Sequence, residues 1–220
     1  DYIVNGRKCF ITNSHIANVL VILAKDEDNP KSFSAFIVEK EMEGFKATHV
    51  EHKVGFRGCN TGELAFENLR IPAANLIGTE GKGLVVTMSA IGEIGRGGMV
   101  GCALGLQAAC LEESIKFSNE RILYGKPIAK LQTIQNKIAD MKIDLEAGRV
   151  LGYRAASMQD QGKRSSNEFA VAKYVTTEAC QRAAKMAVDI HGGYGCMEEY
   201  KVSRLYRDAA VVGPSAGTSD

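Results

Sequence analysis

The stretch GLVVTMSAIGEIGRGGMVGCALGLQAACLEESIKFSNER, Gly83 to Arg121, decides how the rest of the chain is read. Its apolar run is long enough for a single helix that ends near Arg121. Gly92, Gly95, Gly97, Gly98 and Gly101 lie inside it, and each costs about 1 kcal/mol relative to alanine in a helix interior. Five such residues break a helix unless something offsets them. Either the helix kinks here, or a backbone or a flat ligand lies against the glycine face; close helix packing is the blander account. Arg96 stands in the middle of this apolar stretch. A charge there calls for a partner and points to a polar or anionic ligand nearby.

Upstream the period is that of strands. YIVNGRKCFIT (2–12) carries Asn5-Gly6 between two β-prone runs, which predicts a hairpin turn. VLVILAK (19–25) and FSAFIVEK (33–40) follow, split by the polar DEDNPKS, and GELAFENLRIP (62–72) places Leu64, Phe66, Leu69 and Ile71 among polar residues. Several short strands with turn punctuation predict an antiparallel sheet or barrel. Downstream the period is helical. Ile134, Ile138, Met141 and Leu145 form one apolar stripe on a helix beginning near Leu131. Ser165-x-x-Glu168 predicts a capping box, and Phe169, Ala172, Ala179, Ala183, Met186 and Ile190 line the next helix to its stop at Gly192-Gly193. YKVSRLYRDA (200–209) predicts a short fourth helix. The fold expected is α+β and multidomain: an antiparallel β-barrel over residues 1–79, then an up-and-down four-helix bundle over 80–220.

Composition excludes little and suggests no unusual partner. The 220 residues are 45% hydrophobic and 24% charged, and 27 basic against 26 acidic side chains leave a net charge of +1. Neither nucleic acid nor an anionic membrane is expected as the main partner. No run approaches the roughly 18 apolar residues of a membrane span. Cys9, Cys59, Cys102, Cys110, Cys180 and Cys196 form no C-x-x-C pair, so buried, reduced thiols and no metal site are expected. The chain opens in mid-strand and stops abruptly at Asp220; both ends read as cuts in a longer protein.

Four stretches in order carry a resemblance: CFITN (9–13), NERILYGKPI (119–128), DIHGGYG (189–195) and AGTSD (216–220). With the connecting segments EKEMEGFKA, GFRGCNTGELAFENLRIPAANLIGTEGKG and YRDAAVV, the whole chain resembles the acyl-CoA dehydrogenase family. The resemblance implies a middle β-barrel and a C-terminal four-helix bundle, without the family's helical N-terminal domain. It implies FAD as cofactor, an acyl-CoA thioester as substrate, electron-transfer flavoprotein as acceptor, and a homo-oligomer built as a dimer of dimers. It also implies an intracellular location, with bacterial cytoplasm favoured over mitochondrial matrix.

Residue by residue, the resemblance puts Phe10, Ile11 and Thr12 at the flavin, where an aromatic face packs on the ring edge. Phe10 replaces the family's usual Trp. Arg121 matches the arginine that reaches the FAD diphosphate across the dimer, with forked donors suited to phosphate. Tyr124 fits an aromatic position beside it, and Leu123 replaces a usual Gln. Gly192, Gly193 and Gly195 match a turn whose backbone approaches the diphosphate. Asp189 stands where Gln is common and is expected to point elsewhere, and His191 reads as structural. Thr218 and Ser219 match a turn over flavin and diphosphate. Thr61, Ala216 and Gly217 match the acyl-CoA side.

The family's base is most often a Glu just before Gly-Thr-Ser, here Ala216; a minority place it just before the long-helix arginine, here Gly95. Neither position holds an acid. A single engineered Glu-to-Ala change is disfavoured, because Pro214 and Ser215 also depart from the family pattern. Two readings remain. One is a relocated base, with Glu93 one helical turn before Arg96 and able to share its face; Asp220 or the missing N-terminal domain are weaker sources. This reading goes with an atypical, cyclic or bulky acyl group, and leaves Arg96 in support. The other is a non-catalytic FAD- and CoA-binding scaffold or partner subunit.

Overall fold

The computed structural model describes residues 1–218. The chain forms two compact units, Asp1–Lys53 with Arg57–Ala90, and Val54–Phe56 with Ile91 onward. The first unit therefore carries the start of the long helix, past the expected division at 79/80.

The first unit is two three-stranded antiparallel sheets. One has the order β1 (Tyr2–Thr12), β5 (Thr61–Ile71), β4 (Phe45–Val50); the other β2 (Val19–Lys25), β3 (Phe33–Glu39), β6 (Leu76–Ile77). The sheets do not close into one continuous ladder, so the barrel is an open one. A cavity of about 750 Å³ separates Tyr2–Lys8 of β1 from Ile22–Lys25 of β2. Alternation works as expected on β2, where Leu20 and Ile22 point inward and Val19 and Val21 outward. They pair with Val38 and Phe36, and these four pack with Leu64, Phe66, Leu69 and Ile71 into one core.

Asn5-Gly6 makes no hairpin. β1 runs straight through it and pairs with β5, a partner some sixty residues distant in sequence. A bulge sits there instead: Val4 faces Leu69 and Gly6 faces Phe66, so the extra residue is on β5. Asn68 takes the left-handed backbone (φ 51°), and its N–H donates to Asn5 Oδ1 at 2.7 Å. The turn-forming chemistry of Asn5 is used to fix a bulge in a neighbouring strand.

The long helix forms as α1 (Gly83–Ser89), a π-helical turn (Ala90–Gly95) and α2 (Arg96–Glu120), with Arg121 as its cap. Gly92 and Gly95 thus lie in a widened turn, a common device at functional sites, and Gly97, Gly98 and Gly101 follow it in α2. By length and mean hydropathy Gly83–Glu120 could cross a bilayer, but one face of α2, including Val100, Ala103, Cys110 and Leu111, is buried in the bundle core.

The second unit contains α2, α3 (Gln132–Asp160), α4 (Ser166–His191) and α5 (Lys201–Val212), with a small hairpin β7 (Ile122–Leu123) and β8 (Lys126–Pro127). Met141 and Leu145 of α3 meet Cys180, Ala183, Ala184 and Ala187 of α4 and Val202, Leu205 and Ala209 of α5. Small residues on α4 let its neighbours approach closely; at Gly148 of α3 an added Cβ would stand 2.9 Å from Thr176. The expected capping box does not form. Ser165 occupies the N-cap, but its hydroxyl is buried without a partner, because its backbone (φ −123°, ψ 7°) turns the side chain away from the first turn. Nor are the thiols all buried: Cys110 and Cys180 are, whereas Cys9, Cys59, Cys102 and Cys196 are exposed. Cys102 falls on the side of α2 away from the core.

Candidate functional site

In the first unit, the candidate flavin and acyl-side residues meet at one end of the β1–β5 pair. Lys8 faces Leu64 and Ile11 faces Gly62, so Cys9 and Phe10 form a second bulge, this time on β1. Phe10 has a left-handed backbone (φ 57°) and is 71% exposed. Bulges re-aim side chains, and this one turns an aromatic ring outward that regular alternation would not. Ile11 is partly buried against the core beneath it. Thr12 is exposed and is the direct register partner of Thr61. Thr61 is buried, and its hydroxyl accepts a hydrogen bond from Lys53 Nζ at 2.6 Å. Lys53 also donates to the Cys59 carbonyl. His52, Lys53, Arg57, Cys59, Asn60 and Thr61 line an open depression of about 530 Å³. Lys53 escaped the sequence reading, since no period or motif singles out a loop lysine.

In the second unit, three groups stand out. Arg121, exposed at the end of α2, lies over the ring of Tyr194 with 5.5 Å between guanidinium and ring centroid. Tyr194 belongs to the 3-10 turn Gly192–Cys196, so Arg121 and the glycine turn are neighbours. Gly192 has φ 60°, and no chain atom lies within 4 Å of a Cβ built there or at Gly193. The backbone of this turn is open to approach, beside a free guanidinium. That donor set suits a diphosphate. Tyr124 is 89% exposed at the tip of the β7–β8 hairpin, where it and Gly125 both have positive φ, as a type I′ turn requires.

Asp189 does point elsewhere. It pairs with Lys137 at 3.1 Å and Lys185 at 3.0 Å. Burial works against its charge, but the hydrogen bonds and charges of Lys185 and Lys137 prevail and hold the carboxyl below its usual range. His191 is structural, as expected. It is buried, stacks on Phe117 with centroids 4.1 Å apart, and its Nδ1–H donates to the Ala187 carbonyl at 2.8 Å. Burial pushes its pKa down, with partial offset from that hydrogen bond.

The second group is the π turn. Glu93 and Arg96 do not pair. The Glu93 carboxylate accepts a hydrogen bond from the Ser166 hydroxyl at 3.3 Å, at the start of α4. Residues three apart share a face of an α-helix, but a π turn winds more slowly and carries them apart.

The third group is the turn after α5. Ala216 (φ 53°) and Gly217 (φ 98°) are both left-handed. Lys173 of α4 holds them, with Nζ donating to the carbonyls of Gly213 at 2.5 Å and Gly217 at 2.6 Å. Burial, then the charge of Arg96, depress the Lys173 pKa, with partial offset from Glu178. Lys173 went unread in the sequence although its position betrays it: it stands on the buried stripe of α4, one turn after Phe169. Thr218 is exposed, and Ser219 and Asp220 lie outside the described residues. No cluster of three or more metal-ligating side chains occurs among the described residues.

Family models for the acyl-CoA dehydrogenase middle domain and C-terminal domain match residues 1–69 and 81–220. The chain belongs to the acyl-CoA dehydrogenase family. Members of this family are FAD-dependent oxidoreductases acting on CH–CH groups. The chain is similar to acryloyl-CoA reductase (NADH) of Anaerotignum propionicum, with 44% identity over all of this chain and 56% of the relative. It is similar to caffeyl-CoA reductase-Etf complex subunit CarC of Acetobacterium woodii, with 40% identity over 99% of this chain and 58% of the relative. Among solved structures, butyryl-CoA dehydrogenase from Megasphaera elsdenii superposes with a TM-score of 0.97 and 38% identity, covering 99% of this chain and 57% of that one. The chain thus spans a little over half the length of the relatives it matches.

Proposed function

We propose that the whole protein oxidises an acyl-CoA thioester across its α and β carbons. Bound FAD would supply the hydride acceptor for the β carbon. The observation that carries this reading is the Phe10 bulge beside the Thr12–Thr61 pair, which brings candidate flavin-side and acyl-side residues together on one strand end. Phe10 would pack on the flavin edge, with Ile11 behind it and the Thr12 hydroxyl donating towards the N5 region. Arg121, steadied by Tyr194, and the open backbone of Gly192 and Gly193 would hold a diphosphate. Tyr124, Thr218 and Ser219 would complete the cofactor contacts, and Thr61, Ala216 and Gly217 would face the acyl thioester.

Glu93 is the proposed base for the α proton, acting without a contact from Arg96. Its carboxylate has a single hydroxyl partner and no ion pair among the described residues. The substrate proposed is an atypical acyl group, cyclic or bulky, because Ser215 and Ala216 are small where the turn meets the site. Electron-transfer flavoprotein is the proposed electron acceptor, supported by the name of the Acetobacterium relative. A dimer of dimers in the bacterial cytoplasm is proposed from the family.

Anaerobic mixing of the FAD-loaded, full-length protein with straight, branched and cyclic acyl-CoAs tests this. Bleaching of the flavin's visible absorption by one class is expected, and Glu93→Gln should abolish it at unchanged FAD content. A second reading, a non-catalytic FAD- and CoA-binding scaffold, is favoured by the lack of an acid at both Ala216 and Gly95. Tight thioester binding without bleaching by any class would establish it instead.

A further inference from the structure

The second unit holds two cations, Lys173 and Arg96, that pair with no acid among the described residues. Lys173 lies on the face of α4 that otherwise carries Phe169, Ala172 and Thr176 into the bundle, and it is 4% exposed. Two of its three N–H donors go to the carbonyls of Gly213 and Gly217. One remains. Arg96 begins α2 on the facing helix. The next residue, Gly97, packs so closely that an added Cβ would stand 3.0 Å from the Phe169 ring, one turn of α4 before Lys173. The Arg96 guanidinium is half-buried and has no hydrogen-bond or ion-pair partner among the described residues.

Among the described residues no acid forms an ion pair with either cation. The turn from Gly213 to Gly217 contributes no acid. Glu93 is engaged with Ser166. Glu178, further along α4, offsets the field of Arg96 only in part. Two like charges, one of them almost wholly desolvated, raise each other's cost. An anion between them would accept from the third Lys173 donor and from the planar fork of Arg96, and would relieve that repulsion. The turn there offers only the methyl group of Ala216 and the bare backbone of Gly217, in a left-handed conformation that Lys173 itself holds.

We propose that Arg96 and Lys173 anchor a ligand carboxylate, so that the acyl thioester taken by this protein carries a free carboxylate on its acyl chain. This rests on the acyl-CoA reading above and narrows the substrate class to acid-bearing acyl groups.

The test uses the FAD-loaded, full-length protein and length-matched thioesters: the five-carbon dicarboxylic monothioester of CoA against pentanoyl-CoA, and the four-carbon one against butanoyl-CoA. Binding is read by calorimetry, without turnover. The carboxylated member should bind about tenfold tighter or more at low ionic strength, with the ratio shrinking as salt is added. Arg96→Gln should bring the ratio towards one, and Arg96→Lys should retain part of it. Lys173→Met should also collapse the ratio; should that variant not fold, the Arg96 pair decides alone. Equal affinity within each pair in the wild type overturns the proposal, as does a preference that survives Arg96→Gln. If neutral thioesters bind and the carboxylate adds nothing, only this inference fails. If no thioester binds, the acyl-CoA reading fails and takes this one with it.

Discussion

The glycines of α2 permit a quantitative test of what they are for. At Gly97, an added Cβ would press on the Phe169 ring at 3.0 Å, so packing inside the chain accounts for that residue. At Gly98 and Gly101 nothing in the chain lies within 4 Å of an added Cβ. Both are exposed and helical. Alanine at each should therefore stabilise the dissociated chain by about 1 kcal/mol, the full propensity difference. Each change acts on its own residue's backbone freedom, so the double variant should gain about 2 kcal/mol. For a chain of this size that is roughly 4–8 °C in Tm. The assay is thermal and urea unfolding of Gly98→Ala, Gly101→Ala and the double variant, at concentrations below and above that at which the proposed oligomer would assemble. Below it, stabilisation is expected. Above it, the gain should vanish or reverse, because the reason for glycine then lies outside the chain, in a ligand or a neighbouring subunit approaching this face. Failure of the dissociated double variant to gain stability would refute the reasoning, since glycine would then be required by the chain's own fold.

Other consequences follow from burial and charge. Cys110 and Cys180 have thiol pKa values pushed up to about 12 by burial, so both should resist an aromatic disulfide reagent at pH 8 until denaturant is added; reaction of either at the rate of a free thiol would contradict the packing. His191 has a folded pKa below its ordinary 6.5, so its contribution to stability is full above pH 6.5 and is lost as pH falls through the folded value. The stability difference between wild type and His191→Gln should therefore shrink between pH 7 and 5 in urea titrations; a difference that grows would reverse the assignment. Gly195→Ala places a Cβ 2.6 Å from the Val188 carbonyl oxygen and 2.9 Å from its Cα, neither of which can swing aside. A loss of about 2 kcal/mol or more is expected from such overpacking, with weaker FAD retention; wild-type stability would show that the turn relaxes freely.

Legibility differed sharply between local and non-local features. The strand VLVILAK, the α3 stripe and the stop at Gly192 were readable because each is fixed by neighbours within one or two turns of chain. Asn5-Gly6 was misread because its partner is Asn68, and local turn chemistry cannot say whether a chain folds back or is met by another strand. Ser165 failed as a cap for a related reason: spacing predicts that a hydroxyl can reach, whereas tertiary packing decides where it points. Phe10 was placed at the cofactor only through family resemblance. The bulge that exposes it depends on the Lys8–Leu64 and Ile11–Gly62 registers, which no single strand displays. Lys173 was the avoidable omission, since a lysine on an apolar helical stripe is itself a signal.

The π turn ties the placement of the acid to that of the cation beside it. Had Glu93 and Arg96 shared a face, they would have paired, and neither charge would have been left for a ligand. A regular helix through Ala90–Gly95 would produce that mutual cancellation. The wider turn separates them: Glu93 bonds Ser166 at the start of α4, and Arg96 is left without a partner among the described residues. Each charge is then available for a ligand. To reach a substrate proton Glu93 must give up its 3.3 Å hydrogen bond from Ser166, whereas the cationic pair needs only an anion. On the proposed roles the two are separable by mutation: Glu93→Gln should stop flavin reduction, and Arg96→Gln should remove the preference for charged over neutral acyl groups.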